Sequence, residues 1–165
     1  MRIHLEPARA DDLLALVELR TAVNERLATE FGEGYWCSRP TERGAAFQMR
    51  LGGVYVARWR GQLIATLTLS KRKPWAIDRG YFSSSRLPLY ITGMAVQPRH
   101  QRKGVGRECL EEARRLALEQ KSDAICLDAY DCPAGAGPFY AKCGYREVGR
   151  RVYRVAPLIY YEMAL

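Results

Sequence analysis

The chain has no apolar run approaching the roughly 20 residues that a membrane-spanning helix needs. Its first residues, Met1-Arg2-Ile3-His4-Leu5-Glu6-Pro7, hold no apolar signal-peptide core. Histidine is scarce: His4 and His100 are the two present. Cysteine comes in an odd number, as Cys37, Cys109, Cys126, Cys132 and Cys143, with no C-x-x-C pair. That inventory does not assemble a zinc site, so no metal is expected. The thiols read as reduced packing residues of a cytoplasmic protein. Acids are nearly missing from the middle of the chain. Between Arg39 and Lys103, 13 Lys/Arg face only Glu42 and Asp78, a net +11, whereas the remainder carries −3 of the overall +8. Such a stretch suits an anionic partner, which could be a nucleic acid, a membrane surface or a phosphorylated small molecule.

What is present suffices for one folded domain spanning residues 1–165. The length is too short for two full-sized domains, and 48% apolar against 27% charged residues allows a sizeable core. There is no linker, low-complexity stretch or internal repeat. Residues 2–6 alternate as a short strand, ended by Pro7. Asp11 is placed to cap a helix running toward Leu27, whose apolar stripe of Leu13, Leu16 and Val17 is interrupted by Arg20 and Asn24. A second helix is expected over 41–51. Strands over 54–59 and from Leu63 onward flank the Arg60-Gly61 turn as a hairpin. Residues 71–88, with Trp75, Tyr81 and Phe82, form a long excursion, either a functional loop or a plain surface one. Residues 89–96 read as a buried strand and 104–120 as the clearest helix. A strand over 124–130, a short helix over 135–143, and strands over 145–153 and 158–163 around an Ala156-Pro157 turn complete the chain. The order β-α-α-β-β-β-α-β-α-β-β predicts a mixed α/β domain.

The segment richest in chemistry is Met94-Ala95-Val96-Gln97-Pro98-Arg99-His100-Gln101-Arg102-Lys103-Gly104-Val105-Gly106. A strand passes through a basic loop directly into a helix, whose first turn offers free amides and the positive end of its dipole. Gly104 and Gly106 remove side chains, so a phosphate can approach the backbone closely. Arg99, Arg102, Lys103 and Arg107 add four cations. A diphosphate fits this arrangement better than a lone carboxylate. The segment is neither a Walker-type loop nor a complete dinucleotide fingerprint.

Further along, Phe139-Tyr140-Ala141-Lys142-Cys143-Gly144-Tyr145 follows a strand and opens on a short helix. Together with Q-R-K-G-V-G at 101–106, and in this element order, it resembles the GCN5-related N-acetyltransferase (GNAT) superfamily. Q-R-K-G-V-G matches that family's Q/R-x-x-G-x-G/A motif, and F-Y-A-K-C-G-Y its aromatic-Tyr-x-K-x-G-aromatic motif. Segments 89–120 and 124–146 carry the specific likeness.

The resemblance implies the acyl-CoA N-acyltransferase fold, with a mixed, mostly antiparallel central sheet and flanking helices. It implies acetyl-CoA as donor, coenzyme A as product, and a small-molecule or peptide amine as acceptor. The backbone of Met94, Ala95 and Val96 would pair with the pantetheine arm and polarise the acetyl carbonyl. Gln101, Arg102, Lys103, Gly104, Val105, Gly106 and Arg107 would grip the pyrophosphate. Tyr140 would be the general acid that protonates the departing thiolate, a task suited to a phenol of pKa about 10.

Two departures limit the match. Pro133 stands where the family often has Asn, and the strand over 89–96 has no Glu to serve as base, with Thr92 and Gly93 at its middle instead. Asp78, Asp128, Asp131, Glu162 and bulk water all remain open as proton acceptor. Cys132 has no activating neighbour in sequence. The acceptor pocket is expected from the variable segments, with Trp36, Trp75, Asp78 and Tyr81 lining it. The expected assembly is a monomer or homodimer, without a nucleic-acid or membrane partner. A catalytically silent acyl-CoA sensor is the alternative function. Direct nucleic-acid binding is disfavoured because aromatics do not interleave with the basic run.

Overall fold

The computed structural model describes residues 3–165. Along the chain run β1 (Leu5–Pro7), α1 (Leu13–Phe31), α2 (Glu42–Leu51), β2 (Val54–Trp59), β3 (Gln62–Ser70), β4 (Pro88–Val96), α3 (Val105–Glu119), β5 (Ala124–Tyr130), α4 (Gly137–Lys142), β6 (Arg146–Tyr153) and β7 (Ala156–Ala164). The strands form one mixed sheet in the order β1-β2-β3-β4-β5-β7-β6. Antiparallel pairing joins β1 to β2, β2 to β3, β5 to β7 and β6 to β7, whereas β4 and β5 run parallel, from Pro88↔Ala124 to Ile91↔Leu127. The expected fold class is the one observed. The chain divides into two compact units, Met1–Leu69 with Gly93–Ala113, and Ser70–Thr92 with Arg114–Leu165.

In the first unit, α1 buries Leu16 against Val54 and Val56 of β2, with Met49 of α2 and Leu63 of β3 packed at the margin. Each such aliphatic side chain contributes about 1.5–3 kcal/mol by leaving water. Thr41 caps α2, its hydroxyl accepting from the Gly44 amide at 3.1 Å. The Arg60-Gly61 turn has φ of 50° and 78°, the two left-handed residues that a tight hairpin connection demands. The expected Asp11 cap is replaced by a short 3₁₀ turn, Ala10–Asp12, ahead of α1. Asp12 is buried and accepts from the Arg9 amide at 2.8 Å and from the Arg58 guanidinium. Helix α1 continues four residues past Leu27, to Phe31. Of the expected first strand, Leu5 and Glu6 are observed, and Arg2 lies outside the described residues.

In the second unit, Ala124 to Leu127 of β5 are at most 1% exposed, since β4 and β7 flank the strand. The stretch between β3 and β4 is no plain excursion. Ile77 and Phe82 are buried in one cluster with Tyr90, Cys126, Leu158 and Tyr160, and the Tyr160 hydroxyl donates to the Ala76 carbonyl. The turn before β7 also differs from expectation. Arg154, at φ 55°, makes the reversal, while Ala156 and Pro157 already belong to β7, paired with Tyr153 and Val152. A proline is tolerated there because it stands at the start of the strand. Pro138 sits in the first turn of α4, where its missing N–H costs nothing. Among the described residues no helix is long and apolar enough to cross a membrane.

Candidate functional site

The first unit carries the strand end, the basic loop and the start of α3. Met94, Ala95 and Val96 close β4, with Ala95 buried and its neighbours half-buried. The Gln97 amide donates to the Ile64 carbonyl at 2.8 Å, and the Gln101 side-chain amide donates back to the Val96 carbonyl at 2.9 Å. Gln101 therefore fastens the loop to the strand. Arg102 and Gly104 take left-handed φ of 58° and 85°, which turns the chain into α3. Among the described residues, no heavy atom beyond its two chain neighbours lies within 4 Å of the position a Cβ on Gly104 would occupy. Val105 is buried and anchors the first turn, while Arg102, Lys103, Gly104 and Arg107 are exposed and Gly106 is half-buried.

Electropositive surroundings accompany this geometry. Arg102 stands 3.8 Å from Glu30, Arg26 donates to the Pro98 carbonyl at 3.3 Å, and Arg99 donates to Gln62 at 2.6 Å. His100 is held below its ordinary pKa of 6.5 by burial and by the charges of Arg99 and Lys103. An open, cation-rimmed helix start with room over Gly104 fits a diphosphate.

Just before this segment, Gly93 has φ +56°, and a Cβ built on it would lie 2.9 Å from a guanidinium nitrogen of Arg20. Arg20 projects from α1 and is half-buried, and burial pulls its pKa down. In the sequence this residue registered only as a break in an apolar stripe. The signal available was its lack of acids: positions 16, 17, 23 and 24, its neighbours on the helix face, are Leu, Val, Val and Asn.

The second unit carries Tyr140, on α4, 7% exposed among the rings of Phe139, Tyr145 and Tyr161 at 5.4–6.0 Å between centroids. Burial raises its pKa above the usual phenol value, and the charges of Asp128 and Cys143 add to the rise, so its proton is firmly held. Asp128, on β5, is half-buried, and burial raises its own carboxyl. The other three carboxylates considered as bases are engaged. Asp78 pairs with Arg151 and caps the Gly80 amide at 3.0 Å. Asp131 pairs with Arg150 at 2.9 Å. Glu162 is buried, accepts from the Ser83 hydroxyl at 2.7 Å and meets Arg146 at 3.4 Å. All five cysteines are free thiols, and burial pushes Cys109 and Cys126 up to about 12, which keeps both protonated.

The residues expected to line an acceptor pocket are divided between the two units. Trp36 lies in the first unit, half-buried against Tyr35, with its indole N–H buried and without a partner among the described residues. Trp75, Asp78 and Tyr81 lie in the second. Trp75 is 82% exposed, and Tyr81 sits edge-on to Tyr160 at 5.4 Å and against Gly149.

Comparison with known proteins places these features in context. The model of the acetyltransferase (GNAT) family matches residues 20–145. No curated protein sequence matches the chain. Among solved structures, a GCN5-related N-acetyltransferase from Rhodopseudomonas palustris superimposes with a TM-score of 0.75 at 18% identity, covering 100% of this chain and 97% of that one. A GNAT-family acetyltransferase from Listeria monocytogenes gives 0.75 at 16% identity, covering 99% and 95%. A ribosomal-protein-alanine N-acetyltransferase from Brucella melitensis gives 0.72 at 19% identity, covering 98% and 99%. At these identities the likeness concerns the fold.

Proposed function

The chain belongs to the acetyltransferase (GNAT) family, and from that premise we propose that it is an acetyl-CoA-dependent N-acetyltransferase acting on a primary amine by direct attack. The observation that carries the reading is the start of α3, where Gly104 leaves open space at φ +85° beside Arg102, Lys103 and Arg107. Backbone amides of residues 102–107 and their cations hold the donor's diphosphate, and Gln101 keeps that loop on the end of β4. Met94, Ala95 and Val96 present strand backbone to the pantetheine arm, and one of their amides polarises the acetyl carbonyl.

Acetyl-CoA supplies the activated thioester, and the side chains manage two protons. The amine nitrogen forms the new bond to the acetyl carbon as the carbon–sulfur bond breaks. Tyr140 gives its hydroxyl proton to the departing sulfur, and Asp128 takes the proton that the nitrogen sheds. Asp128 suits that task as the carboxylate of the four without a cation on it, and its raised pKa brings it nearer neutrality. The proton on Asp128 then returns to the more basic phenolate of Tyr140, which restores both groups.

Two measurements test the reading. Acetyl-CoA, coenzyme A and desulfo-coenzyme A should each raise the melting temperature, since a ligand bound to the folded state alone shifts unfolding by mass action. A panel of primary amines should then release coenzyme A thiol from acetyl-CoA. No melting shift at millimolar concentration overturns the donor assignment. A shift without turnover on any amine overturns the catalytic reading in favour of a binding module.

A further inference from the structure

Among the described residues, no carboxylate pairs with the guanidinium of Arg20. The face of α1 around it carries Leu16, Val17, Val23 and Asn24, none of them charged, and Leu16 is 2% exposed. The acids nearest along the helix are elsewhere occupied or outward: Glu18 and Glu25 are exposed, and Glu30 lies between Arg26, at 3.6 Å, and Arg102. Among the described residues, burial is the one influence on its ionisation, with no carboxylate opposing it. A half-buried cation lacking a counter-ion is costly to the fold. Arginine nevertheless stays charged in such a place, because its pKa starts at 12.5.

Its position is as informative as its charge. Both guanidinium nitrogens stand within 3.0 Å of where a side chain at position 93 would begin, so Arg20 occupies the space that Gly93 vacates. Gly93 immediately precedes Met94, the first of the three residues assigned above to the acetyl and pantetheine groups. The planar fork of Arg20 thus faces the strand one residue from the reacting bond. A group arriving there meets a fixed positive charge and paired N–H donors, which match a carboxylate in shape and sign.

We propose that Arg20 is a specificity residue that binds a carboxylate on the amine acceptor, so that the preferred substrates are amino acids or other amines bearing a nearby carboxylate. This inference rests on the acetyltransferase reading. Carboxylate binding neutralises the stranded guanidinium, and the ion pair in turn positions the amine. Amines of similar size without an anion leave Arg20 unpaired in the complex, and polyamines add a like charge beside it.

The test uses matched acceptors: α-amino acids, ω-amino acids and dipeptides, each as free acid and as carboxamide, with aminoalkylphosphonates as the phosphate-like arm. Thiol release is followed with the wild type, Arg20→Gln and Arg20→Lys. In the wild type the free acid should exceed its amide by about 10–100-fold in kcat/KM, as expected for a charge-assisted hydrogen-bonded pair. In Arg20→Gln that ratio should fall toward one, chiefly through KM, with Arg20→Lys between the two because it keeps the charge and loses the fork. Phosphonates should be poorer acceptors than carboxylates, and the reverse order would overturn the carboxylate assignment. An amide used as well as its acid by the wild type overturns the inference while leaving the acetyltransferase reading intact, and this comparison needs no variant to fold. A ratio unchanged in an Arg20→Gln protein with a normal melting curve overturns it too. Silence of every acid and amide while some other primary amine is acetylated overturns the inference alone, whereas silence of every primary amine while acetyl-CoA still raises the melting temperature overturns the acetyltransferase reading itself.

Discussion

Asp128 on β5 adds its charge to the burial that holds the proton on Tyr140 of α4. The effect runs one way, from the carboxyl to the phenol, while burial separately raises both. At neutral pH the phenol is protonated, and the carboxyl is displaced toward neutrality. Under the mechanism proposed above, these two groups of one compact unit are the donor and the acceptor of the two protons moved in one acyl transfer.

Tyr140→Phe removes one hydroxyl and almost no volume from a packed aromatic cluster. Turnover should fall about 10²-fold, toward the low end for a general acid because water partly substitutes. Affinity for acetyl-CoA should stay near the wild-type value, since the grip proposed above lies at the amides of residues 102–107. Steady-state kinetics on an identified acceptor, with a melting curve for the variant, check this. Full kcat in Tyr140→Phe would leave Tyr140 as a packing residue.

Asp128→Asn should raise stability at neutral pH. A carboxyl whose folded pKa lies above its ordinary value of 3.8 binds more protons folded than unfolded. Stability therefore falls as pH rises from 3.8 through the folded pKa, and levels off above it. The neutral amide escapes this penalty, so the advantage of Asp128→Asn should grow as pH rises through the folded pKa, reach its full size above it, and vanish below about pH 4. Urea unfolding of both proteins across that range measures it. Turnover should meanwhile drop, which would mark the position as one where stability is sacrificed for chemistry.

The opposite sign is expected at Asp12. Burial alone would push its carboxyl up, but the Arg9 amide and the Arg58 guanidinium outweigh burial and hold it below 3.8. Its contribution is present above that value and lost as pH falls through the lower folded pKa. Asp12→Asn should cost about 1–3 kcal/mol at pH 7 and progressively less in acid. Arg58→Met should cost roughly 2 kcal/mol, below the usual range for a buried pair because Arg58 is partly exposed. Equal stability of Asp12→Asn and wild type at pH 7 would remove this network from the account.

Much of this architecture was legible before any coordinates, for reasons that differ by segment. The strand over 124–130 and the helix over 104–120 carry a continuous apolar run and a clean helical period, and both formed within a residue of expectation. Gly104 was legible because a glycine amid cations at a strand–helix junction has few other uses. Ile77 and Phe82 were not, because single apolar residues within a Ser/Pro-rich stretch carry no period, and only the sheet they cover makes them core. The turn was misplaced because Pro157 draws the eye, whereas a left-handed Arg154 leaves no mark in sequence. Arg20 lay hidden for a similar reason. A cation in an apolar stripe reads as a flaw until Gly93 is found opposite it.

Gly104 allows the cradle to be tested apart from the fold. Its φ of +85° makes any side chain strained, yet among the described residues no heavy atom beyond its two chain neighbours lies within 4 Å of the added Cβ. Gly104→Ala should therefore cost about 1–2 kcal/mol of stability from backbone conformation alone and still fold. Gly104→Asp carries the same strain and places a carboxylate where amides and cations await a diphosphate. Its melting temperature without ligand should match that of Gly104→Ala, while its affinity for coenzyme A should fall well below that of the alanine variant. Raising ionic strength should narrow the gap, because the added repulsion acts across solvent-exposed space and salt screens it. Calorimetric titration of coenzyme A into both variants at low and high salt reads this difference. Equal affinity in the two variants would mean that the diphosphate does not sit over Gly104, and that the loop is only the turn that starts α3.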